Sequence, residues 1–416
     1  MKKKRRSILD VLGPGLVTGA ADDDPSGIGT YSQVGAQFGY GMAWTMFFGF
    51  PLLASIQAIC AQIGATTGKG IAQNLRQHYP RGLLQAVVLL LLMANVINLG
   101  ADLGAMAAAL ELLLPGPLLL YTFLFGLVSA GLEIFVSYSR YVRVLKWTTL
   151  SLFAYVAVVF VAKVPWAEAV KATLVPQFTF DKPHAIALVA IFGTTISPYL
   201  FFWQAGQEVE EQHRRHTKPL YVSPKRKDGE LKRIRTDTLV GMGFSHIVAL
   251  FIIVATAATL HANGVRDIES AAQAAQALRP IAGDLAFALF AIGIIGTGML
   301  AVPVLAGSAA YAVSETFGWV EGLDRKPREA KAFYGVIGLA TLGGVALNLI
   351  GIDPMKALYW AAVVNGMLAP PLMLVTMLIA RNPVAMSGMP ISRKLAFGGW
   401  LSTAVMWGVA VIFLVV

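Results

Sequence analysis

The stretch GAADDDPSGIG, residues 19–29, sets three adjacent carboxylates, Asp22, Asp23 and Asp24, directly before Pro25, Ser26 and Gly27. It lies inside the first apolar segment of the chain. A proline has no N–H and clashes with the carbonyl four residues back, so Pro25 ends one helix and frees the carbonyl of Ala21. Gly27 and Gly29 let the backbone leave helical geometry, and Ser26 is placed to cap the helix that follows. A carboxylate at mid-membrane costs about 2.5–3.5 kcal/mol on insertion scales. Three in a row, beside a helix breaker, therefore predict a pore-facing site where an unwound backbone and acids meet a cation. Neighbours on a helix point about 100° apart, so at most two of the three face one ion. A cation bound there would displace a proton held among crowded carboxylates, which offers a route to proton coupling.

The rest of the chain supports a membrane setting. Of 416 residues, 56% are hydrophobic and 13% are charged, about half the charge of a soluble domain. Apolar runs of spanning length fall near 8–37, 41–66, 83–108, 117–136, 142–165, 183–205, 239–262, 283–316, 333–351, 357–380 and 396–416. With the N-terminus in the cytoplasm, 27 of the 33 lysines and arginines fall in the tail and the cytoplasmic connections. They include Arg140, Arg143 and Lys146 and a basic 206–238 loop. This is the positive-inside pattern. It predicts a multi-pass protein of the inner (cytoplasmic) membrane with its C-terminus outside. The net charge of +10 is thereby topological and points to the bilayer, with no nucleic acid as partner and no obligate protein partner. A single cysteine, Cys60, excludes an internal disulfide. No phosphate loop, catalytic triad or zinc motif appears, so no enzyme activity and no cofactor is expected. Tryptophans such as Trp147, Trp166, Trp319 and Trp400 fit interfacial belts, and Glu111 and Glu133, near span ends, are expected to reach water.

A second interruption, at Gly193 and TTISPY (194–199), lies in the sixth span at a depth matching the first. Pro198 frees the carbonyl of Thr194. Two interrupted segments at corresponding positions of two halves point to a midplane site in an inverted-repeat transporter. The spans divide into a first repeat, 8–165, an inverted second repeat, 183–380, and an eleventh span, 396–416.

These two stretches carry a family resemblance. GPGLVTGAADDDPSGIGTYSQVGAQFGY (13–40) resembles the first helix of the NRAMP divalent-metal transporters, and GTTISPYLFFWQ (193–204) resembles their sixth. The resemblance implies an all-α integral membrane protein of LeuT-type inverted repeats, five plus five spans and an eleventh, working by alternating access. It implies a metal held at Asp24, at Gly27 where the family has Asn, at Ser197 where it has Met, and by the Thr194 carbonyl. Tyr199 and Gln204 stand where the family has His. Asn98 and Ala101 replace an acidic pair, with Asp102 one residue later, and the tenth-helix Gln falls on Ala362, with Asn365 near. Without the Met thioether the ligands are all oxygen: Asp24, one of Asp22 and Asp23, Ser197, water, and the Ala21 and Thr194 carbonyls. Such a set suits hard ions, Mg²⁺ or Mn²⁺. Ser26, Thr195, Tyr199, Gln204, Glu208, Asn98, Asp102 and Asn365 form the expected ion pathway. The bland alternative pairs the acids after Gln204 with Arg214 and Arg215 at an ordinary helix end. A competing function is transport of an organic solute such as an amino acid. The acidic break argues against it, because a substrate carboxylate prefers helix N-termini.

Overall fold

The computed structural model describes residues 13–136 and 151–416, and among these every regular element is helical. In chain order they are α1 (Pro14–Asp22), α2 (Pro25–Phe38), α3 (Trp44–Thr67), α4 (Ile71–His78), α5 (Arg81–Glu111), α6 (Leu118–Phe135), α7 (Phe153–Val161), α8 (Trp166–Leu174) and α9 (Lys182–Thr195). There follow α10 (Pro198–Arg214), α11 (Lys227–Thr259), α12 (Ala271–Gln276), α13 (Arg279–Ala282), α14 (Ala286–Phe317), α15 (Lys331–Leu347), α16 (Pro354–Arg381) and α17 (Arg393–Val415). Nine helical stretches among the described residues are long and apolar enough to cross a membrane. The first expected span is split into α1 and α2. Part of the fifth lies outside the described residues, with the N-terminal tail, the 137–146 turn and Trp147.

Burial orders the bundle. The apolar window of the α9–α10 pair is 94% buried and that of α6 only 22%, so the broken sixth segment is the axis and α6 faces outward. Close approach of backbones sets the axis. A Cβ on Gly19 would lie 2.2 Å from the Gly241 carbonyl oxygen, and one on Gly241 would lie 2.1 Å from that of Gly15. Only hydrogen at these positions lets α1 lie along α11.

Several expectations are corrected here. The breaks are shorter than the motifs suggested: Asp23–Asp24 in the first segment, ahead of Pro25, and Ile196–Ser197 in the sixth, three residues past Gly193. Gly193 does not unwind the chain. It is helical, and a Cβ on it would sit 1.9 Å from the Ala362 carbonyl oxygen, so it is there to seat α9 on α16. The 206–238 loop is mostly helix: α10 runs to Arg214 and α11 starts at Lys227. Charge density in the sequence hid helical turns whose basic residues pair with acids. Glu133 does not reach water: it is 6% exposed and its Oε1 has no partner among the described residues.

Candidate functional site: two broken helices and an acidic chamber

Pro25 occupies the first turn of α2, where its missing N–H costs nothing. Asp24, extended at φ −71° and ψ 171°, caps that helix by accepting from Gly27 N at 2.6 Å. Ser26 is therefore not the cap. An aspartate outranks it because its carboxylate also meets the positive end of the α2 dipole. The Ser26 Oγ donates instead to the Leu358 carbonyl, at 3.0 Å.

The carbonyl that Pro25 frees is satisfied from the other broken segment. Tyr199 Oη donates to Ala21 O at 3.0 Å and stands 3.3 Å from Asp24 Oδ2. The two breaks thus meet directly. Asp24 Oδ2 also accepts from Asn98 Nδ2 at 3.1 Å, and the same amide lies 3.3 Å from Asp102 Oδ2. Asp102 Oδ1 accepts from Ser26 N at 3.2 Å. Asn365 Nδ2 donates to Asn98 Oδ1 at 3.0 Å. Asp24, Asp102, Asn98, Asn365 and Tyr199 form one buried network built from α2, α5, α10 and α16.

The other carboxylates turn away. Ser245 Oγ on α11 lies 2.6 Å from Asp22 Oδ2 and 3.1 Å from Asp23 Oδ1. Asp22 Oδ1 and Asp23 Oδ2, both buried, have no partner among the described residues. One hydroxyl proton cannot serve two carboxylates, so this side of the break carries surplus acceptors.

At the second break Ser197 Oγ donates to Gly193 O at 2.9 Å and Thr194 O at 2.7 Å. The carbonyl freed by Pro198 is closed by the serine next to that proline. Thr195 likewise bonds back to Ile191 O at 2.9 Å.

One end of the bundle is locked below the chamber. Thr18 Oγ1 lies 2.5 Å from Gln204 Oε1, and Gln204 Nε2 lies 3.4 Å from Glu208 Oε1. Glu208 does not pair with Arg214 or Arg215, which take Glu211 at 2.8 and 2.5 Å. It forms an ion pair with buried Arg233 of α11, whose Nε also bonds Glu230 at 2.6 Å. One turn on, Asp237 accepts from Gly13 N, Gly15 N and Leu16 N at 2.9, 2.8 and 3.1 Å. It caps α1 from another helix. Arg233, Asp237 and Ser245 were missed in the sequence because they sit in or just after the basic run. Their spacing of four and eight residues on one helix face was the available signal.

Toward the opposite end a recess of about 410 Å³ opens, bordered by Gly29, Gln33, Asp267 and Glu269. Gln33 ties its rim, donating to Asp267 Oδ1 at 3.0 Å and accepting from Ile268 N at 2.8 Å. Gly29 lies one turn beyond Ser26, so the recess ends one helical turn from the chamber. Among the described residues no three His, Cys, Asp or Glu side chains are gathered as a metal cluster.

Two broken helices that meet at a buried polar network are the mark of the LeuT-type inverted-repeat fold. The solved structures agree on the fold. A manganese transporter of Eremococcus coleocola superposes with a TM-score of 0.77 at 16% identity, covering 99% of this chain and 88% of that one. Mhp1, a nucleobase-cation-symport-1 family transporter in a closed conformation, superposes at 0.61 and 16% identity, covering 97% and 89%. The family model for Natural resistance-associated macrophage protein-like proteins, Nramp, matches residues 15–416, and the chain belongs to that family. Curated relatives include the divalent metal cation transporter MntH of Deinococcus radiodurans, 25% identical over 95% of this chain and 87% of that protein. MntH of Klebsiella pneumoniae strain 342 is 24% identical over 96% and 92%.

Proposed function

We propose that this chain carries a divalent metal cation across the cytoplasmic membrane by alternating access, with Asp24 as the principal ligand. The observation that carries the reading is the chamber where the two breaks meet. Its two carboxylates, Asp24 and Asp102, are buried, and their partners are amides, a phenol and backbone N–H groups, with no basic side chain among them. Buried carboxylates without a basic partner call for a cation. The names of the curated relatives point the same way.

The donors are oxygen throughout, which favours Mg²⁺ or Mn²⁺ over softer metals. Ala21 O becomes a ligand if Tyr199 swings aside. Ser197 and the Thr194 carbonyl become ligands only when their mutual bond opens. Proton coupling runs through Asp102 or the Asp22–Asp23 pair in this reading. The two repeats span 8–165 and 183–380. The basic end faces the cytoplasm, so the locked side is the inner side and the recess is the entrance from outside.

Calorimetric titration of the purified protein with Mg²⁺, Mn²⁺, Ca²⁺ and Cd²⁺ tests the proposal, together with uptake into proteoliposomes loaded with a pH-sensitive dye. Asp24→Ala is expected to weaken Mn²⁺ binding by more than about 100-fold, beyond the loss typical of an outer-shell partner. Unchanged Mn²⁺ affinity in that variant would remove Asp24 from the site. Flux of an amino acid without cation flux would favour the organic-solute reading.

A further inference from the structure

A second recess, of about 470 Å³, opens on the flank of the bundle at its basic end, between α3, α11 and α17. Its volume lies within the roughly 300–1,000 Å³ of small-molecule sites. Ala54, Ala58, Leu239 and Leu395 give it an apolar wall, and none of its lining residues is acidic. Two cationic side chains from different helices, Arg235 and Lys394, also line it. Both are exposed, and neither has a hydrogen bond or ion pair among the described residues. Arg233, two residues earlier, is by contrast paired with Glu208 and Glu230.

Two further observations point to an anionic, ester-bearing occupant. The N-terminus of the 23-residue α17 opens at the groove: Ser392 caps Leu395 N at 3.3 Å, leaving the preceding amides for an anion. Thr238 lines the groove at 2% exposure, and its Oγ1 has no partner among the described residues. A buried hydroxyl beside an apolar wall needs an acceptor.

We propose that this groove binds one anionic phospholipid of the leaflet at the basic end. The phosphate sits between Arg235, Lys394 and the start of α17. The glycerol ester lies over Thr238, whose buried hydroxyl reaches it by turning toward the groove, and one acyl chain lies along Ala54, Ala58 and Leu239. The wall formed by residues 231–239 is the stretch of α11 that also carries Arg233 and Asp237. A lipid seated there braces the lock between α10, α11 and α1.

The test uses the full-length protein in detergent with phosphatidylglycerol or phosphatidylcholine, read by native mass spectrometry and by Tm. The expected result is a one-to-one phosphatidylglycerol adduct retained about tenfold better than phosphatidylcholine, with a matching rise in Tm. Arg235→Gln with Lys394→Gln abolishes the preference, whereas Lys225→Gln with Lys227→Gln, which removes the same charge elsewhere on that end, keeps it. Ala58→Trp fills the groove and removes the adduct. Equal retention of both lipids, a preference that survives in the Arg235/Lys394 variant, or displacement of the adduct by inorganic phosphate alone would overturn the assignment.

Discussion

At the scale of single residues, two prolines make the breaks and two hydroxyl groups mend them. Pro25 and Pro198 each strip a donor from a carbonyl, and Tyr199 and Ser197 supply one. An unpaired carbonyl in the bilayer core costs several kcal/mol, so each hydroxyl stabilises the break it mends. Ser197 thereby guards, in this structure, the carbonyl that it would share with an ion. Replacing it removes the guard and, with Met, adds a soft donor. Ser197→Met is expected to raise the ratio of Cd²⁺ to Mn²⁺ affinity by about tenfold or more in competition calorimetry. An unchanged ratio would mean that residue 197 does not face the ion. The prolines were legible as breakers because their chemistry is local. The pairing of Tyr199 with Ala21, 178 residues apart, was not, because no local rule says which hydroxyl meets which carbonyl.

Among the elements, α11 differs most from its sequence pattern. Its first turns read as solvated basic loop, yet they hold Arg233 between Glu208 and Glu230, and Asp237 on the N-terminus of α1. Charges in water and charges buried in pairs look alike in sequence; the difference lies in which other helix arrives. Removing one partner of a buried pair costs about 3–5 kcal/mol, mostly through the charge left behind. Arg233→Gln is therefore expected to loosen the joint between α10, α11 and α1. In a Cys60→Ala background carrying Thr18→Cys, a membrane-impermeant thiol reagent applied from the basic end should label position 18 at least about tenfold faster when Arg233 is replaced. Equal rates would show that the ion pair does not hold that end shut.

For the whole molecule, acids from distant segments gather where the helices end. Glu321, in the connection between α14 and α15, faces Glu315 of α14, Glu210 of α10 and Arg76 of α4. Burial, then the charges of Glu315 and Glu210, push it from 4.5 up to about 9, and Arg76 offsets only part of this. The folded protein therefore holds a proton that the unfolded chain gives up at lower pH. The folded state binds more protons, so this residue lowers stability as pH rises from about 5 to about 9. Glu321→Gln is expected to flatten the fall of Tm over that window and to raise Tm at pH 8; an unaltered slope would place the titration elsewhere.

What the sequence determined by itself was the run of helices, their membrane setting and the two interruptions, which follow from local chemistry: apolar length, charge placement, and the missing N–H of proline. Asp24 was singled out among the three acids only by the family resemblance. What the tertiary structure alone decided was the partnership of those parts. It separated Asp22 and Asp23 from Asp24, closed Ser197 on its own helix, replaced Ser26 by Asp24 as the cap, and turned a basic loop into a lock. A single chain states what each residue offers as donor, acceptor or charge. Which offers are taken depends on which backbones approach within contact. Here glycines at 15, 19, 193 and 241 set that approach between segments hundreds of residues apart.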